Sequence, residues 1–89
     1  MIGTAQIRAA RALLGIGQRE LSEIAEVAVS TVKRIEVAGE ITGSALTLWK
    51  LQTALEKAGV VFIPADNAGG PGVRLREAPS NKAKRRRLR

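Results

Sequence analysis

Apolar residues recur at intervals of three and four along the first part of the chain, which is the period of helices with one buried face. A first helix is predicted between Thr4, which can cap it, and Gly15, which can end it. Its apolar positions are Ile7, Ala10 and Leu14, with Leu13 beside them. A second helix is predicted to begin after Gly17, with an apolar side formed by Leu21, Ile24 and Ala25.

The stretch LSEIAEVAVSTVKRIE, residues 21–36, allows two interpretations. One straight helix would gather Leu21, Ala25, Val32 and Ile35 on a single broad face. However, β-branched residues cluster at positions 27, 29 and 32, and such residues have low helix propensity. A single helix would also scatter Val27 and Val29 over different faces. We therefore favour a bend between Ala25 and Val29 that turns Val27 inward between two helices.

A fourth helix is predicted after the break VAGEITGS, in which Gly39 can stop the third helix and Gly43 and Ser44 precede the next start. Its buried stripe consists of Leu48, Leu51 and Leu55, widened by Ala54 and Ala58. Trp49 lies one step off this stripe and is expected at the edge of the core or in a dimer contact. Gly59 is expected to end the helix.

Beyond Gly59 the pattern changes to short β-branched and alternating segments. Residues 60–63, VVFI, and residues 73–76, VRLR, each predict a strand, and the loop ADNAGGPG between them is rich in turn formers. The two strands are expected to form a hairpin. Because an isolated hairpin is marginal in water, it must pack on the helices or pair with another chain. Residues 78–89 cannot form a core and are expected to be disordered.

Charge is concentrated at the end of the chain, whose formal net charge is +7. Residues 78–89 hold six of the fifteen basic residues and no acidic residue, so residues 1–77 are nearly neutral. The chain has no Cys and no His, which excludes disulfides and thiolate metal sites and removes the commonest general base. With a single Asp besides, we expect no enzyme activity, no cofactor and no metal site.

The stretch QRELSEIAEVAVSTVKRIEVAGE resembles the helix-turn-helix of the Xre family, the phage repressor and Cro type. The matching positions follow one continuous register: Gln18, Leu21, Ser22, Ala25, Val27, Ser30, Val32, Ile35 and Glu36. The flanking segments RAARALLG and LTLWKLQTALEKAGVVFI are also similar to small bacterial members. The resemblance covers about residues 4–76. It implies a mainly α, four-helix or five-helix, Cro/repressor-like domain with a short C-terminal β-hairpin and a disordered basic tail.

Two positions depart from the family pattern. Glu26 stands where the family has its turn glycine, and a non-glycine residue in a left-handed conformation costs roughly 1–2 kcal/mol. Ala28 stands where the family has a serine that caps the third helix, and losing such a cap costs about 1 kcal/mol. Both departures concern the geometry of the turn.

The resemblance also implies roles in DNA binding. The third helix, about residues 29–37, would lie in the major groove. The exposed candidates for base contacts are Val29, Ser30, Thr31, Lys33 and Arg34. Gln18 would contact a phosphate at the start of the second helix, and Arg19 could add another. The alternatives are a core position for Val29 and solvated charges for Lys33 and Arg34. The basic tail would contact phosphates without sequence preference through Lys82, Lys84, Arg85, Arg86, Arg87 and Arg89.

The sequence thus predicts a DNA-binding domain at residues 1–59, a hairpin at 60–77 that can serve in dimerisation, and a tail at 78–89. The leading function is a sequence-specific transcriptional regulator, a dimeric repressor that reads a palindromic operator in double-stranded DNA. The alternative is an antitoxin or similar protein that binds a toxin or regulator through its hairpin or tail and autoregulates its operon. No membrane span is expected, and the expected location is the cytoplasm, on the nucleoid.

Overall fold

A computed structural model describes residues 2–37 and 44–77, and this part of the chain is mainly helical. The elements in chain order are α1 (Thr4–Leu14), α2 (Gln18–Ala25), α3 (Val29–Val37), α4 (Ala45–Lys57), β1 (Val60–Ile63) and β2 (Gly72–Leu75). The four predicted helices and the C-terminal hairpin are therefore confirmed. The predicted stop at Gly39 and the basic tail lie outside the described residues. Among the described residues, no helix combines the length and the apolar character that a membrane span needs.

The start of α1 differs from the prediction by one residue. Gly3, not Thr4, is the N-cap, and Thr4 is a buried residue of the first turn. Capping comes from inside the helix, because Oε1 of Gln6 accepts a hydrogen bond from the Gly3 backbone N–H at 2.8 Å. This return contact from the third helical position is one half of a capping box. As predicted, α1 ends at Gly15, which adopts a left-handed conformation.

The turn between α2 and α3 confirms the predicted bend. Glu26 has φ 59° and ψ 45°, a left-handed conformation, and follows the last residue of α2. The Glu26 and Val27 backbone N–H groups donate to the carbonyls of Glu23 and Ser22, which closes the helix end. Val27 is half-buried against the core. The carbonyl of Ala28 then accepts from the N–H groups of residues 31 and 32 and opens α3.

Glu26→Gly is expected to raise the free energy of unfolding by about 1 kcal/mol. Glycine removes the steric cost of the left-handed conformation, although it also makes the unfolded chain more flexible. Urea unfolding followed by circular dichroism measures the change. Glu26→Ala is the matched control, because it removes the same carboxylate but keeps Cβ, and it should not reproduce the gain. Equal stabilisation by alanine would show that the charge of Glu26, not its backbone, is unfavourable.

The core lies between the four helices and one face of the hairpin. Its fully buried large side chains are Ile7, Leu21, Val32, Ile35, Leu51, Leu55 and Val60. Ala58, predicted on the buried stripe of the fourth helix, instead caps the end of α4 and is exposed. Two large apolar residues predicted on buried faces are also absent from them: Ile24 is 51% exposed and Leu13 is 43% exposed. Each lies at the edge of a helical stripe that is already filled by its neighbours. Spacing alone therefore overestimated the width of both buried faces.

The hairpin packs against the helices of its own chain. Strands β1 and β2 are antiparallel, with Val60 opposite Leu75 and Phe62 opposite Val73, and these four side chains face the core. Strand β2 covers Gly72–Leu75 rather than the predicted 73–76. The side-chain amide of buried Gln6 donates to the carbonyls of Gly72 and Ile63, at 2.9 and 3.4 Å. These contacts attach the sheet to α1.

Candidate nucleic-acid interface

The outward face of α3 carries hydroxyl and cationic groups. Ser30, Lys33 and Arg34 are exposed and follow positions i, i+3 and i+4 of one helix. Val37, one turn further, is 83% exposed. Val32 and Ile35 occupy the opposite, buried face, as predicted. The exposed face of this helix therefore holds two positive charges and no negative charge.

Val29 and Thr31 are half-buried, so they lie at the sides of this outward face. Val29 is therefore not fully buried, as a core residue would be, and remains partly accessible for the predicted base contact. Partial exposure leaves part of each side chain accessible to a ligand. The predicted base contacts at residues 29–31, 33 and 34 are thus brought together on one side of α3, with Ser30, Lys33 and Arg34 most accessible.

Glu36, the one acidic residue of α3, is turned into the protein and paired with a cation. Its side chain is 3% exposed, and that of Arg11 on α1 is 22% exposed. Nε of Arg11 donates to Oε2 of Glu36 and Nη2 donates to Oε1, both at 2.8 Å. The guanidinium also donates through Nη1 to the carbonyl of Ile16 at 3.1 Å. This bidentate pair joins α1, the α1–α2 loop and α3.

The surroundings of the pair determine the charge of Glu36. Burial alone would raise the pKa of its carboxyl, but hydrogen bonds from Arg11 and Gln18, with the charges of Arg11 and Arg8, outweigh burial and lower it. The hydrogen bond to Glu36 likewise raises the pKa of the Arg11 guanidinium. Both groups therefore remain charged at neutral pH. The negative charge of α3 is neutralised inside the fold, away from its outward face.

Gln18, the predicted phosphate contact, has an internal partner. Its Nε2 donates to Oε1 of Glu36 at 2.9 Å, and the residue is half-buried. This bond ties the first residue of α2 to the last turn of α3. A side-chain amide carries two N–H donors, so the second remains for another acceptor. Gln18 is thus held in place by the network that holds α3, a contact between distant residues that the sequence did not predict.

The start of α2 carries one exposed cation and one acid. Arg19 is exposed, as a phosphate contact requires. Glu20 reaches back to the helix start, where its Oε1 accepts from the Gly17 N–H at 3.0 Å. This carboxylate already interacts favourably with the positive end of the helix dipole. It therefore competes with any phosphate for the same helix start.

Sequence reasoning missed the role of Arg11. A signal was present, because Arg11 falls among Ile7, Ala10 and Leu14 at helical spacing, just as Glu36 falls beside Val32 and Ile35. Charged residues at such positions are buried only when paired. The six cations predicted as tail contacts lie outside the described residues.

No protein-family model matches the chain, and no curated protein shows significant sequence similarity to it.

Proposed function

We propose that this protein is a sequence-specific DNA-binding transcriptional regulator of the Cro/repressor-like helix-turn-helix type, acting as a homodimer. In this proposal α2, the turn at residues 26–28 and α3 form the helix-turn-helix. Helix α3 inserts into the major groove and α2 lies across the backbone. The observation that carries the proposal is the outward face of α3, which has hydroxyls and two cations while its only acid is buried.

This surface suits DNA more than a protein partner. A major groove accepts a helix and presents acceptors that lysine and arginine recognise, together with groups that serine and threonine hydroxyls can bond. The exposed face of α3 contains Ser30, Lys33 and Arg34 and lacks a large apolar anchor near its start. Protein interfaces, by contrast, are centred on buried aromatic and aliphatic groups. We assign base contacts to the start of α3, including Val29 and Thr31 at its sides.

The buried ion pair supports the same role by fixing the position of α3. Reading of bases requires a helix held rigidly relative to the groups that contact the phosphates. Glu36 connects α3 to α1 through Arg11 and to the start of α2 through Gln18. Gln18 and Arg19 are then positioned for phosphates by the same contacts that position the base-reading face. The competition from Glu20 makes Arg19 the stronger of these two phosphate contacts.

Selection of bound duplexes from a random pool tests the proposal. A single domain reads only a few base pairs, so a homodimer should enrich two inverted half-sites. Their centres should be separated by about 34 Å, one turn of the DNA, or a multiple of it. A palindromic consensus would support both sequence-specific binding and the two-fold arrangement. Recovery of a pool with no sequence enrichment would contradict the proposal.

Deletion of residues 80–89 is expected to weaken binding to all duplexes alike and to flatten the salt dependence. If all six cations of the tail met phosphates, the slope of log K against log salt would change by roughly five units, and a fraction of this is expected. Titrations of the selected site and of a scrambled duplex at several salt concentrations measure both effects. A selective loss of affinity for the selected site would instead assign base reading to the tail.

A further inference from the structure

Three of the exposed large apolar side chains lie on the side of α2 and α4 that faces away from the core. Trp49 is 61% exposed, Leu46 is 59% exposed and Ile24 is 51% exposed. Leu46 and Trp49 are three residues apart on α4, outside its buried stripe at Leu48 and Leu51. Trp49 and Ile24 line a shallow cleft of about 230 Å³ between the two helices. An exposed tryptophan over such a cleft is typical of an interface anchor.

Charges of both signs surround this cleft. Glu26 lies at its α2 side, and Lys50 and Lys57 lie at its α4 side. The ion pair found in the described part of the chain is Arg11–Glu36, and these three charged groups take no part in an ion pair there. We call the surface formed by residues 24, 26, 46, 49, 50 and 57 the α2–α4 face. It has an apolar centre with an acid on one side and cations on the other.

We infer that the α2–α4 face is where two copies of this chain pair. In a two-fold dimer the same patch meets itself, so it must be self-complementary. A two-fold axis that passes through the apolar centre and runs between the Glu26 side and the lysine side would bring the Glu26 side of each copy to the lysine side of the other. The inference rests on the homodimer of the proposed function and specifies its contact surface. It leaves the outward face of α3 free, since neither Ser30, Lys33 nor Arg34 belongs to it.

The hairpin is a poorer contact surface than the α2–α4 face. Its apolar side, with Val60 and Phe62, is already occupied by the helices of the same chain. Its other side displays exposed Arg74, so pairing through that side would bring like charges together. Of the two expected ways to stabilise the hairpin, packing on the helices is the one observed, since the strands contact α1 and α4.

Sedimentation equilibrium of the full chain tests the pairing surface. The wild-type protein should dimerise, and Trp49→Ala should weaken dimerisation by about 30-fold, the effect of removing an interface hot spot. Because Trp49 is the only tryptophan, its emission should also shift to shorter wavelength as the concentration rises. A wild-type protein that stays monomeric at concentrations that saturate DNA would overturn the inference, and so would a Trp49→Ala variant that dimerises like wild type.

Charge reversal distinguishes self-pairing from binding of another protein. Glu26→Lys makes the charges of the face uniformly positive, and Lys50→Glu with Lys57→Glu makes them uniformly negative. Each variant should dimerise about tenfold more weakly or worse, because like charges across an interface repel, whereas an equimolar mixture should form heterodimers. Glu77→Lys has the same charge change as Glu26→Lys outside this face, and it should dimerise like wild type. A mixture that fails to associate would overturn the two-fold arrangement.

The outcome separates this inference from the proposed function. If dimers form through the α2–α4 face but random-pool selection enriches no sequence, the pairing surface is supported and sequence-specific DNA binding is rejected. If selection gives a palindromic consensus but Trp49→Ala and the charge-reversal variants dimerise like wild type, sequence-specific DNA binding is supported and this surface is rejected.

Discussion

Arg11→Met is expected to lower the free energy of unfolding by about 3 kcal/mol. The substitution keeps much of the side-chain volume but leaves Glu36, which is 3% exposed, without its cation. Breaking a buried ion pair from one side costs about 3–5 kcal/mol. We expect a cost at the lower end of this range because the Arg11 side chain is 22% exposed, so the pair is only partly shielded from water. Since a small domain has a total stability of roughly 5–15 kcal/mol, urea unfolding should show a large fall in the midpoint.

A double-mutant cycle with Glu36→Met separates the ion pair from other effects of the substitution. Replacing both partners by methionine removes the buried charge as well as its partner, so the double variant should be more stable than Arg11→Met alone. Additive losses from the two single substitutions would show that Arg11 and Glu36 do not act as a pair.

The pH dependence of stability gives a second readout of the same pair. In the wild type the pKa of Glu36 is lowered below its ordinary value of 4.5, so its contribution is fully present above that pH. The contribution is lost as the pH falls through the lowered pKa of the folded state. In Arg11→Met, burial should raise the pKa of Glu36 in the folded state. The contribution of Glu36 to the free energy of unfolding is then present at low pH and is lost as the pH rises through that raised pKa. Parallel stability curves between pH 3 and pH 7 would contradict this account.

Combined replacement of Lys33 and Arg34 by alanine should reduce affinity for the selected DNA site by about 100-fold. A base contact made by lysine or arginine is worth about 1–3 kcal/mol of discrimination, and a phosphate contact lowers the salt slope by about one unit. Because both side chains are exposed and neither belongs to the core, the fold should be retained. Fluorescence anisotropy with the selected and a scrambled duplex measures affinity and specificity together.

Arg74→Ala with Arg76→Ala is the matched control. This pair also removes two positive charges from exposed residues, but on and beside β2 rather than α3. Only a small, sequence-independent loss of affinity is expected, through the long-range attraction of the protein for DNA. Equal losses from the two pairs would mean that net charge, not the outward face of α3, governs binding.

Local chemistry explains why so much of the fold could be predicted. Each helix has a 3.6-residue apolar stripe, and Gly15, Ser44 and Gly59 mark boundaries that backbone conformation or capping dictates. The bend at Glu26 followed from the mismatch of apolar faces on either side, although this residue is not the glycine that a left-handed position favours. Packing of α2 and α3 on α1 and α4 therefore imposes the bend.

The details that escaped prediction depend on contacts between distant residues. Arg11 and Glu36 are 25 positions apart, and Gln6 reaches carbonyls 57 and 66 positions away. Periodicity reports which residues share a face but not which partner they meet. It placed Val32 and Ile35 correctly, yet it could not show that Gln18 binds Glu36 or that Ile24 stays exposed. Whether a side chain at the edge of an apolar stripe is buried depends on the neighbouring helix or strand.

Affinity cleavage from a single cysteine tests most directly whether α3 reads DNA. The native chain has no cysteine, so Ser30→Cys can carry one DNA-cleaving chelate at a defined position on the outward face of α3. Arg74→Cys with the same chelate is the control away from α3. We expect the label at residue 30 to cut the selected duplex within both half-sites, symmetrically about the centre of the palindrome. If the label at residue 30 cuts the DNA no more strongly and no more locally than the label at residue 74, placement of α3 in the major groove is contradicted.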